Sequence, residues 1–190
     1  MHFKKVLLVL FIMMSLAQLF VPIKMIFDNE DVLNNGVRYQ LKIAKLNPEK
    51  AIYGDFVRLK FEYNSILTDK DDWQQSEAAY VQLAVREDAF AEISSIHRQI
   101  PDQTQDYVYV KIYDIEKLDA ADKLIIEYPS INYYIEEIGS KERKKNIIVQ
   151  FFNDISDAKA IVFVKEGKLI LKEILIDDIP LKEKILNLDE

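Results

Sequence analysis

The first candidates for chemistry in this chain are carboxylates beside glycine or tyrosine. Asp55 comes directly after Gly54. In one interpretation the pair forms a tight turn, in which Gly54 supplies a positive φ and the Asp55 carboxylate accepts backbone N–H bonds. In the other, Asp55 is a ligand or an acid–base group. The pattern favours the turn, since Gly and Asp are both typical turn residues.

A second group of carboxylates follows two tyrosines. Glu136 and Glu137 come directly after Tyr133-Tyr134-Ile135. Paired carboxylates beside phenols can perform acid–base chemistry on a glycan or bind a divalent cation. The alternative is a strand end leading into a helix whose first turn is acidic because the helix dipole favours acids there. The pattern favours the helix, and Glu136 and Glu137 stay weak catalytic candidates together with Asp55.

Other chemistries lack the residues that they need. The chain has no cysteine, which excludes disulfides, thiol catalysis and cysteine metal sites. Of its two histidines, His2 lies in the N-terminal signal region, which leaves only His97 for imidazole chemistry, so we expect no metal site and no cofactor. A serine–lysine hydrolase needs the two side chains close together. Ser140 and Lys141 are adjacent on a predicted helix, where their side chains diverge, so this pair does not form such a site. The net charge of −7 argues against a nucleic-acid partner, because binding phosphates requires clustered cations.

Residues 1–27 predict a membrane anchor. Lys4 and Lys5 precede a mostly apolar stretch that continues to Phe27, which has about the 20 residues needed to span a bilayer. Cations before a span favour a cytoplasmic N-terminus. We therefore expect a signal-anchor in the plasma (inner) membrane and an extracytoplasmic domain over residues 28–190. The alternative is a signal peptide cut after Ala17; we expect retention, because cleavage would leave an exposed apolar start.

The remaining 160 or so residues predict one folded, β-rich domain, with 49% apolar and 30% charged residues in the whole chain. Apolar residues at every second position indicate strands, and Glu166-Gly167 indicates the turn of a hairpin. The strands are expected at 37–43, 57–63, 80–86, 107–113, 124–128, 160–165 and 168–175. Of these, 37–43 and 57–63 are expected in one sheet.

Helical signals are few beyond the anchor. Residues 137–153 predict a helix, with acids early and cations late. Residues 89–97 form either a strand or a short helix, and the ordered pattern is expected to end at Pro180. The predicted fold class is α+β: an N-terminal transmembrane helix followed by a mostly antiparallel β domain, barrel-like or a sandwich, with one helix.

The nine residues 53–61 resemble the signature of the GDYXXLXY membrane-protein family, with phenylalanine at two positions where the signature has tyrosine. The motif positions are Gly54, Asp55, Phe56, Leu59 and Phe61. Other landmarks also fall in the order expected of that family: Val21-Pro22, the turn at Gly36, Asn47-Pro48, and Val164 to Leu169.

This resemblance implies a location and an architecture but no reaction. The anchor, the lack of nucleophile and metal constellations and the mostly β exported region favour a membrane-anchored accessory or interaction domain over an enzyme, and the resemblance implies a multi-pass membrane protein as a partner. Since Phe56 and Phe61 lack the phenol groups, no role that needs a hydroxyl there is carried over. The alternative hypothesis is an envelope enzyme that acts on a glycan or cell-wall substrate through paired carboxylates.

Overall fold

The computed structural model describes residues 2–45, 52–53, 56–69, 72–102, 104–129, 131–134 and 158–186. It begins with one long helix, α1 (His2–Asn35), of 34 residues. At 1.5 Å per residue this helix is about 51 Å long. Its most apolar window has a mean hydropathy of 2.5 and is not buried by the rest of the protein, so by length and composition α1 can cross a membrane.

Twelve strands and a second, short helix follow α1 in the described part of the chain. They are β1 (Val37–Lys42), β2 (Ile52–Tyr53), β3 (Phe56–Arg58), β4 (Ser65–Thr68), β5 (Ala78–Val85), β6 (Ala91–His97), β7 (Val108–Lys117), β8 (Asp122–Glu127), β9 (Asn132–Tyr134), β10 (Ala158–Lys165), β11 (Lys168–Ile176), β12 (Ile179–Pro180) and α2 (Leu181–Leu186).

The strands form three antiparallel sheets, in the orders β1-β10-β11-β12, β2-β3-β9 and β4-β8-β7-β5-β6. A bridge between Ile43 and Phe61 joins the first sheet to the second, and a bridge between Val108 and Gly167 joins the first to the third. Both β1 and β4 approach β6. The sheets therefore curve around a common core as a nearly closed, barrel-like wall, which confirms the predicted fold class.

Two-residue alternation builds this wall. In β7, Val108, Val110 and Ile112 are buried, whereas Tyr109 and Lys111 are exposed. The buried side chains of the strands form one continuous apolar cluster. Each fully buried valine, leucine or isoleucine contributes about 1.5–3 kcal/mol relative to an exposed one, so the alternation specifies which face of each strand points inward.

The expectation that residues 37–43 and 57–63 share a sheet is confirmed only at their ends, where Ile43 bridges Phe61 and residues 60–62 bond to residues 42–44. β1 and β3 belong to different sheets, because the chain leaves β3 after Arg58 and continues to the Ile43–Phe61 bridge at the end of β1. The alternation in residues 80–86 predicts that Val85 points inward with Val81 and Leu83, but Val85 is 63% exposed as the last residue of β5. The alternation in residues 107–113 predicts Tyr107 on the face opposite Val108, but Tyr107 is buried and packs edge-on against Tyr80.

Residues 89–97 resolve as a strand, β6, and not as a helix. The hairpin around Glu166 and Gly167 is confirmed, and both residues have positive φ (49° and 82°), as a type I′ turn requires. The ordered pattern does not end at Pro180, since Leu181 begins α2 and is buried. The helix predicted over residues 137–153 lies outside the described residues.

α1 joins the β domain through a glycine. The N–H of Gly36 donates to the carbonyl of Val32, 2.8 Å away, and Val32 is itself buried. A Cβ at position 36 would lie 2.4 Å from the Val32 oxygen and 2.9 Å from the Val164 oxygen of β10. Backbone therefore meets backbone at this junction, and a residue with a side chain does not fit without displacing one of the two.

Two acids near the end of α1 hold the β10–β11 hairpin. The Lys168 ammonium lies 3.0 Å from the Asp28 carboxylate, and the Lys165 ammonium lies 2.7 Å from Asp31. The Lys165 side chain is only 16% exposed, so this second contact is partly sheltered by its neighbours. These pairs and the Gly36 junction fix the last turns of α1 against the domain.

Candidate functional site

Two residues of the signature, Leu59 and Phe61, line a surface cleft of about 310 Å³, which we call the signature cleft. Its volume is at the lower end of the range for sites that bind small molecules or single side chains. The lining residues are Ala44, Arg58, Leu59, Lys60, Phe61, Asn64, Tyr113, Ile125, Ile126, Glu127, Tyr128 and Pro129.

The cleft opens where the segment after β3 changes its pairing partner. At one end the N–H of Leu59 donates to the carbonyl of Ile131 (3.0 Å), and at the other end the carbonyl of Asn64 accepts from Ile126 (2.8 Å). Between these points, residues 60–62 bond to the end of β1 at 2.8 and 3.0 Å. The backbone turned toward β1 leaves a gap in the wall beside β8.

Apolar and aromatic side chains form the floor of the cleft. Leu59, Phe61, Ile126 and Tyr128 are all buried. The rings of Phe61 and Tyr128 meet edge to face, with centroids 5.6 Å apart, a favourable geometry for aromatic pairs. Burial raises the pKa of the Tyr128 phenol, whose hydroxyl donates a long, weak bond of 3.4 Å to the Tyr63 carbonyl. The floor is therefore uncharged.

A β-bulge places Tyr113 at the rim. In the β7–β8 pair, Ile112 lies opposite Ile126 and Asp114 lies opposite Ile125, so Tyr113 is the extra residue of β7. Its side chain is 61% exposed. Bulges redirect side chains and are common beside functional sites, and this one adds an exposed aromatic ring to the cleft.

Charged residues on the two walls give the cleft a polarity. Arg58 and Lys60 are both exposed on the signature side, and Glu127 is exposed on the β8 side. An apolar floor between cations and one acid suits a ligand that presents an apolar group next to a carboxylate.

The carboxylates singled out in the sequence fall outside the part of the chain that the structure describes. The paired strands β2 and β3 place Tyr53 opposite Phe56. Gly54 and Asp55 lie outside the described residues, as do Glu136 and Glu137. Phe56 contacts the ring of Tyr134 at a centroid distance of 5.8 Å.

The structure does describe His97, the remaining candidate for imidazole chemistry. His97 lies half-buried on β6, with Nε2 3.0 Å from the Ser95 hydroxyl. Among the described residues, no group of three histidines or acids is placed to hold a metal ion. Sequence reasoning missed Tyr113 and Tyr128. Pro129 marked the end of a strand beside Tyr128, but no local pattern signals the bulge that exposes Tyr113.

A polar contact separate from the signature cleft lies inside the domain. The Tyr39 hydroxyl donates to the Asp106 carboxylate at 2.5 Å, with the Leu83 carbonyl at 3.2 Å. Burial, followed by the nearby Asp106 carboxylate, raises the pKa of the Tyr39 phenol. The phenol therefore stays protonated and ties β1 to β5 and to the segment before β7, which is a structural role.

The fold and the cleft define a class of protein: a barrel-like β domain, with a narrow surface cleft, continuous with a helix that can cross a membrane. The family model described as GDYXXLXY protein matches residues 18–174, and the chain belongs to that family. The match includes the whole signature cleft and confirms the resemblance inferred from residues 53–61. Comparison with curated proteins found no match, and comparison with solved structures found none.

Proposed function

We propose that this protein is a single-pass accessory module of the plasma (inner) membrane, whose extracytoplasmic β domain binds a segment of another membrane protein in the signature cleft. The observation that carries the proposal is the continuity of α1, which runs without a break from its apolar part into the β domain. Its end is joined there by the Gly36 contact and the pairs of Asp28 and Asp31.

Because α1 is continuous from its apolar part into the β domain, retention of the helix is favoured over cleavage after Ala17. A cut after Ala17 would leave ten residues of α1, 18–27, projecting from the docked end of the helix. Leu19, Phe20 and Val21 are 56–66% exposed. Hydrocarbon is the environment that covers such a surface at least cost.

Charge supports the orientation. Lys4 and Lys5 flank the apolar stretch at its beginning, and acids dominate directly after it, with Asp28, Glu30 and Asp31. Lysine and arginine favour the cytoplasmic side of a span. This asymmetry favours a cytoplasmic N-terminus and an extracytoplasmic β domain.

The signature cleft supports the choice of partner segment. Its apolar floor accepts one leucine- or phenylalanine-sized side chain, and Lys60 on the rim complements an acid next to it. An extracytoplasmic loop of a multi-pass protein can present such a pair, and it remains near the module because both proteins occupy the same membrane.

Fractionation and intact mass test the anchor. We expect the chain in the membrane fraction, at the mass of the unprocessed sequence. A soluble product that begins at Gln18 would refute retention.

Crosslinking tests the cleft. Because the chain has no cysteine, a Tyr113→Cys variant can carry a thiol-linked photo-crosslinker at the rim. We expect one reproducible membrane-protein adduct, which Lys60→Glu weakens severalfold and Lys117→Glu, the matched charge reversal at the end of β7, leaves unchanged. Equal adducts from Tyr113→Cys and from the exposed control Asp119→Cys would show that the cleft is not the binding site.

A further inference from the structure

We propose that the β10–β11 turn, residues 165–168, lies in the lipid headgroup layer of the bilayer that α1 crosses. This inference rests on the proposed function in one respect, the retention of α1 in a membrane. It adds a surface and a partner: the β domain contacts phospholipid headgroups with a defined face, and the domain does not swing freely on its anchor.

The apolar length of α1 locates the headgroup layer. Residues 6–27 form 22 residues of helix, or about 33 Å. The hydrocarbon core of a bilayer is about 30 Å thick and the headgroup regions add roughly 5–8 Å on each side. When the apolar part fills the core, the next three to five residues of α1 lie among the headgroups, which places Asp28 inside that layer and Asp31 near its outer edge.

Both of these acids bind the turn. The Asp28 carboxylate accepts hydrogen bonds from Lys24 (2.9 Å) and Lys168 (3.0 Å), and the Asp31 carboxylate accepts one from Lys165 (2.7 Å). The two ends of the turn are therefore fixed to the first helical turn beyond Phe27. Since that helical turn lies in the headgroup layer, the residues attached to it lie there also.

A tyrosine cluster continues the same surface. The N–H of Gly167 donates to the Tyr107 carbonyl, and the N–H of Tyr109 donates to the Gly167 carbonyl, both at 2.9 Å. The Tyr80 ring packs against the rings of Tyr107 and Tyr109 with centroids 5.7 Å apart. Tyr109 is 40% exposed. Tyrosine is enriched at membrane interfaces, where an apolar ring and a polar tip are both solvated.

This surface has no excess of positive charge, so the contact does not depend on anionic lipid. Three lysines and four acids lie at the junction of α1 with the turn, a net charge of −1: Lys24, Lys165 and Lys168 with Asp28, Glu30, Asp31 and Glu166. The partner that fits is the headgroup layer of a zwitterionic phospholipid such as phosphatidylcholine.

Three single-cysteine variants of the full chain test the proposal, since no native thiol interferes. Glu166→Cys reports the turn, Phe20→Cys reports the span, and Asp119→Cys reports the far end of β7, about 30 Å along that strand from Val108. Each variant is labelled with a fluorophore in phosphatidylcholine nanodiscs. Quenching is measured with headgroup-nitroxide lipid, with acyl-chain-nitroxide lipid and with aqueous iodide.

We expect the label at Glu166→Cys to be quenched severalfold more by headgroup nitroxide than the label at Asp119→Cys, equally with and without added phosphatidylglycerol. Iodide quenching of Glu166→Cys equal to that of Asp119→Cys would overturn the proposal while leaving the anchor intact, provided that Phe20→Cys is quenched by acyl-chain nitroxide. A label at Phe20→Cys that iodide reaches would overturn the anchor itself. Headgroup quenching that requires phosphatidylglycerol would overturn the independence of the contact from anionic lipid.

A charge swap tests whether the ion pairs set this position. With Asp31→Lys we expect headgroup quenching at Glu166→Cys to fall severalfold, and with Asp31→Lys plus Lys165→Asp we expect it to return. Quenching unchanged by Asp31→Lys would overturn the role of the pair. Fluorescence of Trp73, the one tryptophan of the chain and a buried residue, checks that each variant is folded.

Discussion

Replacing Gly36 with alanine tests the junction between helix and domain. The added Cβ would lie 2.4 Å from the Val32 carbonyl oxygen and 2.9 Å from that of Val164. Neither oxygen can rotate away, because both belong to the backbone. The clash can be relieved only if the Gly36–Val32 hydrogen bond is lost or if β1 separates from β10.

The magnitude follows from these contacts. Overpacking a filled site costs about 1–3 kcal/mol, and the lost hydrogen bond adds about 1 kcal/mol. Alanine also restricts the unfolded chain, which offsets roughly 0.4–1 kcal/mol. The net expectation for Gly36→Ala is a decrease of about 2 kcal/mol in the free energy of unfolding.

The assay is urea unfolding of the full chain in detergent micelles, followed by Trp73 fluorescence. Trp73 is buried and stacks under the Arg98 guanidinium at 4.0 Å, so its emission changes when the domain opens. Asn34→Ala, an exposed change two residues earlier, is the matched control and should stay within about 0.5 kcal/mol of the wild type. If Gly36→Ala also stays within that margin, the close approach does not support the fold and the reasoning about the junction is wrong.

Three further expectations concern the hairpin and the buried phenols. Glu166→Asn, which places Asn-Gly in the type I′ turn, should raise the thermal unfolding midpoint, because asparagine tolerates a positive φ better than glutamate. Tyr39→Phe should lower the free energy of unfolding by about 1–3 kcal/mol, measured in urea, because the Asp106 carboxylate loses its donor. Stability should fall above about pH 10, by about 1.4 kcal/mol per pH unit for each of Tyr39 and Tyr128. The pKa of each phenol is raised in the folded state, so the phenols ionise first in the unfolded state. Tyr128→Phe should reduce the slope of the free energy of unfolding against pH by about 1.4 kcal/mol per pH unit, the effect of one proton. An unchanged slope would contradict the assignment.

Much of the fold could be predicted because its signals are local. The apolar length of α1 and the alternation of Val108, Val110 and Ile112 each depend on residues a few positions apart. The Glu166-Gly167 turn is equally local, since its two positive φ angles are specified by the turn itself. Burial then stabilises the face that the alternation defines.

The remainder of the fold depends on contacts between distant residues. Pairing of residues 60–62 with the end of β1, instead of with β8, decides where the wall opens. The alternation placed residues 57–63 beside 37–43, but nothing within either segment indicates that the contact is limited to their ends while β3 pairs with β9. The same holds for Tyr113, which becomes a rim residue only because β7 has one residue more than β8 at the bulge. Leu59 and Phe61 were named from the signature, but their position in the cleft floor depends on both of these long-range choices.

The position of the cleft limits what can bind under the proposed function. β1 starts beside the α1 junction and extends about 20 Å to Ile43, which bridges to Phe61 in the cleft floor. One strand thus connects the membrane-side junction with the candidate site. A partner segment that starts at the bilayer surface needs up to six extended residues to cover that distance, at about 3.3–3.6 Å per residue, and a loop that returns to the membrane needs up to about twelve. A multi-pass protein whose extracytoplasmic loops are all shorter than this reach would therefore be a poor partner, whereas one with a longer loop carrying an acid beside a leucine or phenylalanine meets both the distance and the chemistry of the cleft.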